Sequence, residues 1–165
     1  MSNDDSDTTR TGVISTVSIG KHPLHPAIVD FPIAFLCAAL VTDLLFWRTG
    51  QSQWAEFSFW LILAGWILGG LGVITGLIDF LTLQPARALT SGWLHFILAD
   101  LAIFMTTFNL MSRLYDRQEK IVFTGLGMSA LVALALLITG YLGGRLVFRY
   151  HIGTYGGEVN RKGEQ

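Results

Sequence analysis

The sequence predicts an all-α integral membrane four-helix bundle with a disordered N-terminal tail. Three observations carry that expectation. Of 165 residues, 52% are hydrophobic and 14% charged, whereas a soluble domain carries about a quarter charged residues. Mean hydropathy is +0.51. The apolar residues gather into four long runs, each near the ~20 residues that span a bilayer as a helix. A net charge of −1 offers no basic field for nucleic acid. The lone Cys37 lies in an apolar run and forms neither an internal disulfide nor a Cys-rich metal cluster.

The elements follow in order. Residues 1–20 are polar and acidic, lack an apolar signal core and read as a disordered tail. The membrane domain spans 21–153. Its first span is 27–47, with Pro23 and Pro26 before it in positions that suit a helix start, and Pro32 inside it as a kink. The second span is 57–80, the third 92–111 and the fourth 121–148, long enough to tilt or protrude. Residues 154–165 form a polar, Gly-rich tail. Trp47, Trp54, Trp60 and Trp93 lie near span ends, where amphipathic rings favour the headgroup layer.

Each span has one face of small or polar residues. In the second, Gly65, Gly69, Gly72, Gly76 and Asp79 recur at steps of four and three, a groove for close backbone approach. In the first, His25, Val29, Pro32, Leu36, Ala39 and Asp43 share a face. The fourth carries Ser129, Ala133, Gly140, Gly144 and, in phase, His151. These stripes suit a compact bundle and also permit a homodimer.

Four spans place both termini and the loop between the second and third on one side. All the histidines then fall at one leaflet: His22 and His25 before the first span, His95 early in the third, His151 after the fourth. Asp30 and Asp79 join them, with Arg87, Arg145 and Arg149 at the same face. Ionisable residues facing a bundle interior default to a functional reading. Two chemistries fit. One is haem b, ligated by His95 with His25 or His151, with Gly72 and Gly76 making room and the three arginines pairing with propionates. The other is an iron or zinc site built from His22, His25, His95, Asp30 and Asp79. Against both stands a bland reading, in which the histidines cap helices and the aspartates pair with arginines. No NTPase loop, nucleophile elbow, zinc-protease motif or paired CxxC is present.

The segments HPLHPAIVDFPIAFLCAALVTDLLFW and TGLIDF, with His95 and the ending GYLGGRLVFRYHIG, resemble the bacterial membrane-protein family called domain of unknown function 2231. The resemblance covers about 21–153, and HPxHP with the following aspartate and proline is its most specific part. It implies histidines at positions 22, 25 and 95. The family's closing arginine-histidine-glycine is interrupted here by Tyr150. The resemblance also implies redox company, such as a cytochrome c or a Rieske protein; a site on the periplasmic side would suit a dehydrogenase as partner.

The expectation is therefore a multi-pass protein of a bacterial inner membrane, in contact with lipid, that holds haem b or another redox metal at one leaflet and exchanges electrons with a partner. His25 and His95 are the foremost ligands. The alternative is a non-catalytic scaffold or assembly subunit with no cofactor. Cations occur on both sides of the membrane, so the positive-inside rule leaves the orientation open.

Overall fold

The computed structural model describes residues 12–20 and 22–154. Two-residue strands β1 (Ser18–Ile19) and β2 (His22–Pro23) precede helices α1 (Leu24–Thr49), α2 (Ser52–Thr82), α3 (Gln84–Arg87), α4 (Thr90–Ser112), α5 (Arg117–Lys120) and α6 (Leu126–Gly144). π-turns at Ile121–Gly125 and Arg145–Arg149 flank α6. Among the described residues four helical segments are long and apolar enough to cross a membrane: Leu24–Thr49, Ser52–Thr82, Thr90–Ser112 and Leu126–Arg149. They contain the expected spans, apart from the π-turn that leads into the fourth.

Helix α1 begins earlier than the apolar run suggests. Pro23 is extended (φ −61°, ψ 129°) and Pro26 falls in the first turn, where a missing N–H removes no helical bond. His25 is therefore a helical residue with a fixed direction. Pro32 sits inside the helix, buried. The helix ends at Gly50, whose φ of 65° is a left-handed conformation that glycine adopts freely. Its N–H closes on the Phe46 carbonyl at 2.8 Å.

The α2 glycines are filled from α1 in strict antiparallel register. A Cβ on Gly65 would lie 2.7 Å from Leu36 Cγ, on Gly72 3.1 Å from Val29 Cγ1, and on Gly76 2.7 Å from His25 Cε1. A Cβ on Gly69 would strike Ile103 and touch Pro32. The two stripes read in the sequence thus pack on each other, and the α2 groove is internal. The second hairpin, α4 with α6, runs in a similar register. Asn109 donates to Ser129 Oγ at 3.0 Å, and a Cβ on Gly143 would lie 3.0 Å from His95 Cε1. The α6 stripe differs from expectation. Ser129 and Ala133 are buried, but Gly140 faces open space, and the glycine that meets α4 is Gly143. Helices α1 and α2, α4 and α6, α1 and α6, and α2 and α4 are neighbours. That order sets α1 and α4 on opposite corners of the bundle.

Residues 1–11 of the expected tail lie outside the described residues, as do 155–165. From Gly12 the chain is tied across the bundle end. Val13 bridges to Ile152, β1 pairs with β2, and Leu24 N–H donates to Val17 O at 3.0 Å. Asp79, at the end of α2, anchors this strap. Its carboxylate accepts from Ser15 Oγ at 2.6 Å, Thr16 N–H at 2.8 Å and Val17 N–H at 3.1 Å.

Candidate functional site

Two of the four histidines converge. His25 on α1 and His95 on α4 face each other edge to face, ring centroids 6.1 Å apart and planes at 82°. Each ring is held the same way. His25 Nδ1 lies 2.9 Å from the Gly72 carbonyl, and His95 Nδ1 lies 2.9 Å from the Thr139 carbonyl. A carbonyl only accepts, so in both rings Nδ1 carries the hydrogen and Nε2 keeps its lone pair. Each imidazole rests on a glycine one helical turn beyond its acceptor, Gly76 for His25 and Gly143 for His95. Thr139 Oγ1 is buried with no hydrogen-bond partner among the described residues.

The other expected residues stand elsewhere. His22 lies exposed in β2. His151 is exposed beyond the second π-turn, at φ 52°. Asp30 is exposed, and Asp79 is committed to the strap. Among the described residues no three of His, Cys, Asp and Glu converge, so the five-residue iron or zinc set does not assemble. Arg87 is exposed; its carbonyl accepts from Trp93 Nε1 at 3.0 Å. Arg145 and Arg149 line an open recess with Tyr141, Gly144 and Phe148. Helical phase puts that face opposite Thr139 and Gly143, so these arginines turn away from the histidine pair.

A second polar centre lies toward the other end of the bundle and joins all the spanning helices. Asp43 (α1) and Arg113 form a bidentate pair at 2.8 and 2.7 Å, both fully buried. Ser58 (α2) donates to Asp43 Oδ1 at 2.5 Å and Ser129 (α6) to Oδ2 at 2.6 Å. Arg113 also donates to Asn109 (α4), Ser58 and Ser129. All five guanidinium hydrogens thereby have acceptors. A Cβ on Gly125 would lie 2.8 Å from Arg113 Nη2, so the first π-turn leaves room for the guanidinium. Asp43 lies on the expected inward face of the first span, whereas Asn109, Arg113, Thr139 and Gly143 are not among the expected site residues. Arg113 lies one residue past α4, where it reads as an ordinary loop charge.

The two hairpins repeat one plan. His25 and Asp43 are separated along α1 by the same interval as His95 and Arg113 along α4. Gly72 and Gly76 stand to His25 as Thr139 and Gly143 stand to His95. An approximate two-fold relation along the bundle axis therefore brings equivalent imidazoles together at one end and opposite charges together at the other.

No curated protein and no solved structure gives a significant match to the chain. One family model does match, over residues 21–156, described as a predicted membrane protein. With its four apolar helices, this multi-pass membrane protein belongs to the DUF2231 family.

Proposed function

We propose that the protein is a b-type cytochrome of a bacterial inner membrane, in which His25 and His95 bind one haem iron from opposite sides, and that it exchanges single electrons with a redox partner. The observation that carries this reading is the histidine pair itself. Both rings are locked in the tautomer whose Nε2 can ligate, and the Nδ1–carbonyl bonds are the outer support that metal-bound imidazoles require. The ring centroids stand 6.1 Å apart, which keeps both imidazoles within reach of one metal ion. The two-fold relation of the hairpins supports a single group held equivalently from both sides. The unpartnered Thr139 hydroxyl beside the His95 acceptor gives a bound group or its water a buried polar contact.

Haem, when bound, supplies one-electron chemistry whose potential follows ligand identity, hydrogen bonding and burial. The chain's own residues fix the imidazole planes, raise ligand basicity through the backbone carbonyls and seat the rings against Gly76 and Gly143. Non-haem iron or zinc would use the same imidazoles, but no third ligand joins them among the described residues.

Haem content tests the proposal. Protein expressed with ample haem and purified in mild detergent is expected to carry one haem per chain by extraction and quantification. Haem-free protein from the same cells would overturn the reading and leave a membrane scaffold.

A further inference from the structure

We propose that the outward face of the second π-turn is a binding site for an anionic phospholipid, its phosphate between Arg145 and Arg149 and an acyl chain along Tyr141, Gly144 and Phe148. These five residues line one open recess of about 410 Å³. Tyr141 is 68% and Phe148 82% exposed. So much exposed aromatic surface on a membrane-spanning helix faces lipid.

Two cations near the spans are spent on carboxylates, and those at this face are not. Arg113 is matched by Asp43, and Arg117 pairs with Glu56. Neither Arg145 nor Arg149 has a carboxylate partner among the described residues. Arg149 lies over the Tyr150 ring, guanidinium carbon 5.7 Å from its centroid. Arg145 and Arg149 stand four residues apart on this turn, a spacing that puts two residues on one helix face, so both planar guanidinium forks belong to residues bordering the same recess. They lie at the end of the apolar segment Leu126–Arg149, where a spanning helix meets the headgroup layer. A phosphate diester offers the planar fork acceptors of matching charge.

The shared hairpin plan does not require these cations. Placing α2 on α6 through Gly72 with Thr139 and Gly76 with Gly143 sets Ile78 and Thr82 opposite Arg145 and Arg149. One hairpin thus carries a basic fork where its equivalent carries none, and the fork adds nothing to the common packing.

Energy transfer from the protein's tryptophans to pyrene-labelled lipid in neutral-detergent micelles tests the site. With about a fivefold contribution from each arginine near the headgroup layer, pyrene-labelled phosphatidylglycerol is expected to bind about 30-fold more tightly than the phosphatidylcholine equivalent. The double variant Arg145→Gln/Arg149→Gln should reduce that preference to within about twofold, while Arg48→Gln at the other leaflet leaves it in place. Equal binding of the two lipids by the wild-type protein would overturn the proposal without any variant. So would a preference that survives in the double variant, or one that Arg48→Gln removes equally.

Discussion

At the scale of single residues, the buried Asp43–Arg113 pair has the largest expected effect on stability. Two charges taken out of water are tolerable because every guanidinium hydrogen is bonded and both carboxylate oxygens accept from serines. Asp43→Ala leaves Arg113 buried without its counter-charge. It is expected to destabilise the folded protein by about 3–5 kcal/mol, read from denaturant unfolding in detergent. The double change Asp43→Leu/Arg113→Met should recover most of that loss, because apolar residues of similar size need no partner. Failure to recover would show that the network contributes more than compensated charge. The histidine groove makes a second residue-scale prediction. Gly76→Ala puts a methyl 2.7 Å from His25 Cε1 and 2.8 Å from Nδ1, so it should displace the ring and lower bound haem several-fold. Gly140→Ala meets nothing within 4 Å and should leave haem content unchanged.

At the scale of elements, the N-terminal strap hangs on one carboxylate. Asp79 receives hydrogen bonds from Ser15, Thr16 and Val17, and charge-assisted bonds of this kind contribute about 1.5–3 kcal/mol each. Asp79→Ala is expected to accelerate amide exchange at Thr16 and Val17 by about tenfold or more, with the spans unchanged. Exchange as slow as in the wild type would show that Val13–Ile152 and the β1–β2 pair hold the strap alone. This element was not legible in the sequence. Strands of two residues leave no periodic signal, and the partners of Val13–Ile19 lie far along the chain. The spans were legible because length and apolarity suffice to identify them. The stripes on α1 and α2 were legible because glycine spacing dictates which face another helix can approach. The α6 stripe was only half legible. Its lower part keeps the expected phase at Ser129 and Ala133, whereas near the histidines Gly143 replaces Gly140 and Gly144 as the contact.

At the scale of the whole molecule, two antiparallel hairpins repeat one arrangement with different residue types, which is why the sequence hides the repeat. Equivalent positions match at the histidines but carry opposite charges at Asp43 and Arg113. The pairing that closes one end thus erases the likeness between the hairpins. Of the four histidines, His25 and His95 are the two that meet, because both lie at the same depth on inward faces, and Gly72 and Gly76 stand beside His25. His22 and His151 share that leaflet but belong to short peripheral segments whose directions no helical phase predicts. Topology adds a prediction of its own. In a background with Cys37→Ser, cysteines introduced as Arg87→Cys and Thr154→Cys should react with an impermeant maleimide from the same side of the membrane. Gln51→Cys should react only from the other side.

The most direct test of the histidine pair as an iron ligand set is electron paramagnetic resonance of the oxidised, haem-loaded protein beside His25→Ala and His95→Ala. Two imidazoles on one ferric haem enforce a low-spin signal, and loss of either should convert it to high spin or abolish haem binding. A high-spin wild-type spectrum, or a low-spin signal retained in both variants, would contradict ligation by His25 and His95.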